Sequence, residues 1–266
     1  MNHNMIGDLI LNDALELYGQ PKWTFGKNTC NTYEVFVEKV HMPDGDVIPA
    51  WPVVELIERD EALTLLFSRW FLENAMRSAC DLTEQTDSNV TLSMNLLPLY
   101  ADRESFVDDV VAMLKKTGLK PQKMQFEVSE AQDLTERGIA NLNALHDEHG
   151  IGLWLANFGT GHSNVDLLRE VHFDGLELDK SYGALVPGHE QTCRLVVAIL
   201  HMAHTLDLHV CAKGIENQEQ FEFFEELGCF KGQGFLIGKP MDMASMSDYI
   251  RKYAVRRRHG RCLPPV

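Results

Sequence analysis

The chain has 266 residues, a formal net charge of −15 and 45% hydrophobic residues. That length suits one α/β barrel, whose usual size is about 250 residues, and the hydrophobic content suffices for one large core. The negative charge disfavours a nucleic-acid partner, and no apolar run approaches the ~20 residues that a membrane-spanning helix needs. The segment 255–266 is basic instead, and its simplest interpretation is a solvated C-terminal tail.

The cysteines and the N-terminus indicate a compartment. The six cysteines show neither a Cys-x-x-Cys pair nor a zinc-binding spacing. The first residues lack the basic region and the apolar core of a signal peptide. We therefore expect a cytoplasmic protein with reduced thiols.

Short apolar stretches alternate with longer amphipathic ones along the chain. An arm or a helix is expected at 1–14, before the first strand. Eight stretches are predicted to be strands: 15–20, 32–40, 90–97, 123–129, 151–157, 174–179, 208–213 and 231–236. Helical patterns lie between them, which favours repeated β–α units and a single (β/α)₈ TIM-like barrel over 15–254.

Turn signals agree with this division. Gly118, Gly150 and Gly228 each follow a helical pattern, where a left-handed C-cap is needed. Residues 42–46 are predicted to form a turn, and the polar segment 81–89 is predicted to be an exposed loop.

The predicted strand Leu176-Glu177-Leu178-Asp179 carries leucines on one face and acids on the other, because side chains alternate along a strand. In a barrel the leucines would pack under the helices, and the acids would face the mouth. A buried unpaired charge is very costly, so such acids indicate a water-filled cleft or a charged partner.

Residues 155–161, Leu-Ala-Asn-Phe-Gly-Thr-Gly, follow an apolar strand and precede a helical pattern. An α/β barrel normally places its catalytic groups at this strand-to-loop junction. The two positions just before Phe158 are Ala156 and Asn157, and neither carries a charge. The segment therefore indicates an enzyme scaffold whose catalytic charges are missing.

Residues 157–163, Asn-Phe-Gly-Thr-Gly-His-Ser, resemble the Asp-Asp-Phe-Gly-Thr-Gly-Tyr-Ser motif of the EAL family. Further segments resemble the family's motifs in the same order, at 17–21, 33–36, 93–96, 126–130, 176–179, 212–216, 232–235 and 239–240. The resemblance thus covers nearly the whole chain. It implies a barrel of the EAL type and a relationship to cyclic-di-GMP phosphodiesterases that work with two Mg²⁺ or Mn²⁺ ions.

The resemblance also assigns roles to individual positions. Glu34, Asn95 and Glu127 match family metal ligands, and Gln233 matches a glutamine near the metal-bound water. Glu130 matches the glutamate that anchors the Gly-Thr-Gly loop. The other positions that keep the family's residue in a ligand-binding motif are Gln20, Asp179 and Glu216.

Five positions depart from the family's pattern. Ala156 replaces a metal-binding aspartate, and Asn157 replaces the acid beside it. Lys213 replaces a metal-binding glutamate, which puts an ammonium where a cation should be bound. Glu177 replaces the lysine that orients the attacking water, and Glu38 replaces the arginine that holds a ligand phosphate.

A charge count summarises the departures. The family's cluster carries five acids and one lysine at positions 34, 127, 156, 157, 177 and 213, a formal −4. Here three of these positions are acidic and one is basic, a formal −2. We expect no cofactor, and at most one weakly bound Mg²⁺ or Mn²⁺ held by Glu34, Asn95 and Glu127.

The function predicted from these residues is that of a catalytically degenerate EAL-like protein, a regulator without enzymatic activity. It would bind a protein partner or sense cyclic-di-GMP, although binding of that dinucleotide is expected to be weak or absent. The sequence leaves open whether the chain forms a homodimer. The alternatives are an active or slow cyclic-di-GMP phosphodiesterase and a barrel enzyme of unrelated chemistry, because this fold hosts many reactions.

Two expectations concern side-chain pairs. Glu177 and Lys213 invert the family's charges on consecutive strands, so we predict an ion pair between them. The histidine pairs 146/149 and 201/204 have helical spacing but no evident carboxylate partner, so they are interpreted as surface residues rather than metal ligands.

Overall fold

A closed ring of strands forms the centre of the molecule in the computed structural model, which describes residues 1–129, 134–159 and 166–253. In chain order the strands are Leu15–Thr24 (β1), Thr29–His41 (β2), Val47–Pro49 (β3), Thr91–Asn95 (β4), Met124–Ser129 (β5), Gly152–Phe158 (β6), Gly175–Leu178 (β7), His209–Ala212 (β8), Lys231–Gly232 (β9) and Met241–Asp242 (β10). The ring contains eight of them in the order β1-β2-β4-β5-β6-β7-β8-β9, and β9 pairs with β1 to close it. The predicted barrel is confirmed.

Helices surround the ring. They are His3–Leu11 (α1), Trp51–Glu58 (α2), Glu61–Thr86 (α3), Pro98–Ala101 (α4), Phe106–Thr117 (α5), Glu136–His149 (α6), Leu167–Glu170 (α7), Lys180–Leu185 (α8), Glu190–Thr205 (α9), Gln218–Glu226 (α10) and Met243–Tyr253 (α11). A 3₁₀ turn, Pro121–Lys123, precedes β5. Within the described parts of the chain, no helix is long and apolar enough to cross a membrane.

One strand of the ring runs against the others. β1 is antiparallel to both of its ring neighbours, β2 and β9, whereas the remaining six neighbouring pairs are parallel. A short hairpin joins β1 to β2, and Gly26 and Asn28 in it have the positive φ values of 72° and 53°. A tight turn of this kind can only connect antiparallel strands, so the barrel departs here from a strict β–α repeat.

All eight predicted strands are present, but the last prediction, 231–236, is wrong beyond Gly232. The chain turns at Gly234, whose carbonyl accepts the backbone N–H groups of both Ile237 and Gly238. A Cβ on Gly234 would lie 2.1 Å from the Ile215 carbonyl oxygen, so this close approach requires glycine.

The loop predicted at 81–89 is also wrong for most of its length, because α3 continues to Thr86. Ala79 and Leu82 are fully buried, so the apolar face of the helix continues through a segment whose composition is mostly polar. The chain leaves the helix at Asp87, which has φ 48°. The glycine C-caps were predicted correctly at Gly118 and Gly150.

The alternation predicted for β7 is confirmed. Leu176 and Leu178 are buried in the apolar core under the helices, and Glu177 points to the inside of the ring. The barrel interior therefore holds charged side chains that are almost completely buried. The groups with which they pair determine which ligands the interior can bind.

Candidate functional site

A cluster of five charged side chains fills the barrel beneath the carboxyl ends of its parallel strands. It consists of Lys22, Glu34, Glu127, Glu177 and Lys213, and is called the mouth cluster below. Glu127 and Glu177 are 0% and 1% exposed, and Lys22 is 1% exposed. Charges buried this deeply persist only when they are paired and hydrogen-bonded.

Lys22 forms the floor of the mouth cluster. Its ammonium donates to Glu127 Oε1 at 2.5 Å, to Glu177 Oε1 at 2.5 Å and to the Ser93 hydroxyl at 3.2 Å. Ser93 in turn donates to Glu127 Oε1 at 2.6 Å. One lysine on β1 thus joins two carboxylates from β5 and β7 across the ring.

Lys213, just beyond β8, covers the same carboxylates from above. Its ammonium lies 2.9 Å from Glu127 Oε2, 3.2 Å from Glu34 Oε2 and 2.7 Å from Glu177 Oε2. The last contact confirms the predicted Glu177–Lys213 ion pair, which is a close approach of charges without hydrogen-bond geometry. Lys213 contacts three carboxylates, whereas the sequence predicted one.

The two buried glutamates respond differently to these surroundings. Burial opposes ionisation of Glu127, but Lys213 and Lys22 outweigh it and hold its pKa well below the usual range. Burial first and the Glu127 charge second raise the pKa of Glu177 to about 7. Although burial disfavours the ammonium of Lys213, the surrounding carboxylates, Glu127 first, raise its pKa. Lys213 therefore stays charged at neutral pH.

Amide side chains bind Glu34 at the rim of the mouth cluster. Asn95 donates to Glu34 Oε1 at 3.0 Å, and Gln233 donates to Glu34 Oε2 at 3.0 Å. Gln233 also lies 3.3 Å from Gln20 Oε1, and Gln20 donates to the Gly238 carbonyl. The structure thus brings Gln20, Glu34, Asn95 and Gln233 together with the charged side chains.

A β-bulge sets the direction of the two uncharged positions on β6. Leu155 pairs with Leu176 and Phe158 with Leu178, so three steps along β6 match two along β7. Asn157 has the positive φ of 58°, which asparagine tolerates better than most residues. Ala156 is buried beside the strand end and offers only a methyl group. Bulges of this kind often lie beside active sites and redirect side chains.

A cavity of about 480 Å³ opens beside the cluster between β2, β4, β5 and helices α2 to α4. Most of its lining is apolar, including Phe67, Phe71 and Tyr100, and Asn95 and Asn157 lie where it meets the mouth. Trp51 at its edge is 67% exposed. The cavity offers space for a flat or apolar group next to the polar mouth.

Other predicted site residues lie apart from these contacts. Asp179 caps α8, since its carboxylate accepts the backbone N–H of Ser181 at 2.9 Å. The side chains of Glu38 and Glu216 are exposed. Glu130, the loop beyond Gly159 and the tail at 255–266 lie outside the described residues.

Lys22 and Ser93 were missed by the sequence interpretation as members of the site. Strand alternation could have found Lys22, because it lies two positions from Gln20 and therefore on the same face of β1.

The histidine interpretation was wrong in one respect, since His146 has carboxylate partners. They are Asp147, from the same helix, and Asp174, from the loop before β7.

The EAL domain model matches residues 3–240 of the chain. The cyclic di-GMP phosphodiesterases NbdA and PA2567 of Pseudomonas aeruginosa are each 29% identical to it, over 243 and 245 residues. These matches cover 91% and 90% of this chain but only 31% and 40% of the two relatives. The chain therefore spans about a third of the length of these curated relatives.

Solved structures show the same fold. The PaMucR phosphodiesterase in complex with c-di-GMP superimposes with a TM-score of 0.81 at 25% identity, and the match covers 91% of this chain and 98% of that one. The FimX EAL domain from Pseudomonas aeruginosa, bound to c-di-GMP, gives a TM-score of 0.79 at 16% identity, with coverages of 93% and 98%.

Proposed function

The chain belongs to the EAL domain family, and from that premise we propose that it is a non-hydrolytic member that acts as a regulator by binding a protein partner. One observation carries the proposal: the ammonium of Lys213 lies among Glu34, Glu127 and Glu177, within 3.2 Å of each. A lysine in this place competes directly with a divalent cation for the same oxygen atoms.

The remaining donors do not fit two divalent ions. Both oxygens of Glu127 accept from lysines, and both oxygens of Glu34 accept from amides or from Lys213. Ala156 offers no donor, and Asn157 brings no charge. Magnesium or manganese in this position would have to displace a buried ammonium, and a two-metal reaction needs two ions about 3.5–4 Å apart.

The charge of the mouth also argues against tight binding of a dianionic dinucleotide. The mouth cluster carries two lysines and three glutamates, a formal −1 when all are ionised. Both lysines are neutralised by these carboxylates, and Glu38 is acidic where the family has a phosphate-binding arginine. We expect cyclic-di-GMP to bind weakly or not at all, so the regulator would act through its surface.

Product analysis tests the absence of hydrolysis. The chain is incubated with cyclic-di-GMP and excess Mn²⁺ or Mg²⁺, and linear dinucleotide is followed by chromatography. No product is expected above the rate without protein. Turnover that disappears in Glu34→Ala would show that the chain hydrolyses the dinucleotide and would refute the proposal.

Calorimetry with cyclic-di-GMP, with and without Mg²⁺, separates the remaining functions. Micromolar or tighter binding without hydrolysis would make the chain a sensor of the dinucleotide. The alternative function, a slow phosphodiesterase, is favoured by one feature: Glu34, Asn95 and Glu127 still place oxygen donors on neighbouring strands. In that case binding should strengthen with Mn²⁺ and product should appear.

A further inference from the structure

A second group of metal-type donors lies at the opposite end of the barrel, where β6 and β7 begin. His146 and Asp147 are in the last turns of α6, and His172 and Asp174 lie between α7 and β7. We call these four side chains the base cluster. One candidate donor atom from each of His146, Asp147 and His172 lies within 4.8 Å of the other two.

We propose that the base cluster is a binding site for Zn²⁺ or a similar divalent transition-metal ion, with His146, Asp147 and His172 as its protein ligands. This site is separate from the mouth cluster and independent of the proposed function. Two imidazoles and one carboxylate form a ligand set that suits zinc, and magnesium would prefer oxygen donors alone.

The donor atoms are already close to the required spacing. His146 Nδ1 lies 2.9 Å from Asp147 Oδ1, and His172 Nδ1 lies 2.9 Å from Asp147 Oδ2. Ligands of a tetrahedral zinc ion with bonds of about 2.0–2.1 Å are roughly 3.3 Å apart. Small rotations of these side chains would therefore admit an ion, and a water molecule would complete the coordination.

Asp174 fixes which nitrogen of His146 faces the ion. Its Oδ1 lies 3.3 Å from His146 Nε2, and its Oδ2 accepts the backbone N–H of Leu153 at 2.9 Å. With Nε2 protonated toward Asp174, Nδ1 keeps its lone pair for the metal. A carboxylate behind a metal-binding histidine is the usual arrangement at zinc sites.

The loop that carries His172 is held to α6 without help from the imidazoles. Asn143 accepts the backbone N–H of His172 at 3.0 Å and donates to the Glu170 carbonyl at 2.9 Å. His172 and Asp147 are both about half exposed, so an ion reaches them from solvent. The site is thus positioned before an ion arrives, which reduces the entropy lost on binding.

Calorimetric titration of the full chain with Zn²⁺ under reducing conditions tests the proposal. We expect one site in the wild type. Because loss of a supporting carboxylate alone typically weakens metal binding 10–100-fold, His172→Ala and Asp147→Asn should each weaken it by more than about tenfold. Both residues are on the surface, so circular dichroism should show that the variants fold.

His201→Ala is the matched control, because His201 is an exposed histidine on another helix and should leave zinc affinity unchanged. X-ray absorption at the zinc edge should show nitrogen and oxygen ligands only. The proposal is overturned if the wild type takes up no zinc at micromolar concentrations. It is equally overturned if sulfur ligates the ion, or if His172→Ala binds zinc as tightly as His201→Ala does.

Discussion

The mouth cluster and the base cluster combine carboxylates with nitrogen bases at opposite ends of one barrel, but they differ in burial and in the base. In the mouth, the partners of Glu127 are lysines whose pKa values are raised, so they remain protonated at neutral pH. At the base, the partners of Asp147 are the imidazoles of His146 and His172, whose ring nitrogens can offer a lone pair to a metal ion. A metal ion would bind these ring nitrogens at the base, whereas it must displace a buried ammonium in the mouth.

This difference shows that the presence of carboxylates does not by itself make a metal site. What matters is whether a metal ion can displace the groups that already pair with the carboxylate oxygens. The mouth cluster contains three carboxylates, and the base cluster contains only two. It is nevertheless the exposed base cluster whose donor atoms are free to exchange their present partners for a metal ion. Variants that change the burial or the nitrogen base of an ion pair show how much each contributes to this contrast.

The largest effect is expected for Lys22→Met. The variant keeps a side chain of similar length but leaves Glu127 and Glu177 with Lys213 as their remaining ammonium partner. Removing one member of a buried ion pair typically lowers the free energy of unfolding by about 3–5 kcal/mol. Urea denaturation measures it. Lys116→Met, which removes an exposed lysine paired with Glu73, is the control and should lose less than about 1 kcal/mol. Equal losses in the two variants would contradict the role given to burial.

Lys213→Glu is designed to make the mouth cluster a site whose carboxylate oxygens can bind a metal ion. The substitution removes the ammonium that occupies the oxygens of Glu34 and Glu127, and it adds a carboxylate. The variant should be less stable than the wild type by a few kcal/mol without metal, because like charges then face each other.

Mn²⁺ should raise the unfolding temperature of Lys213→Glu more than that of the wild type, since only the variant would have lone pairs for the ion in the mouth cluster, whereas the base cluster is the same in both. Thermal denaturation with and without Mn²⁺ measures this. The added Glu34→Ala substitution should abolish this extra stabilisation. An equal response of wild type and variant to Mn²⁺ would show that Lys213 does not exclude metal from the mouth.

The sequence predicted the barrel from the alternation of apolar and amphipathic stretches and from the family resemblance. It predicted the ion pair because Glu177 and Lys213 both invert the family's charges on consecutive strands. It did not predict the role of Lys22, although alternation places this residue on the face of Gln20, because its partners on β5 and β7 approach it only when the ring closes. The base cluster was missed for the same reason. His146 and His172 are 26 positions apart, and the contact of α6 with the segment that follows α7 brings them together.

Local composition misled in two places. The polar residues of 81–89 suggested a loop, but the buried face of α3 extends through Leu82 and outweighs the polar positions that face solvent. The strand predicted at 231–236 ends at Gly232 because a close backbone contact at Gly234 forces a turn. Both errors come from tertiary contacts that no short window of sequence contains.

A smaller effect is expected from pH. Because burial and the Glu127 charge raise the pKa of Glu177 to about 7, the folded chain holds a proton that the unfolded chain releases near pH 4.3. This contribution to stability is complete below about pH 4.3 and is lost as the pH rises through about 7. Glu177→Gln removes it, so wild type should lose stability relative to this variant between about pH 5 and pH 7.5. Urea denaturation across that range measures the difference, and parallel pH profiles would show that Glu177 does not titrate there.

The smallest effect is expected for Arg194→Ala, which removes an ion pair that is mostly exposed to solvent, in contrast to the buried pairs of Lys22. Arg194 and Glu190 lie one turn apart on α9, 2.6 Å from each other, and are 71% and 80% exposed. Water and salt screen such a pair, and holding two long side chains in place opposes it, so the loss should be below about 0.5 kcal/mol. This distance is within 0.1 Å of the two Lys22–glutamate distances, so the comparison keeps the separation nearly constant while burial changes. If urea denaturation showed a loss as large as that of Lys22→Met, distance rather than burial would govern the strength of these ion pairs.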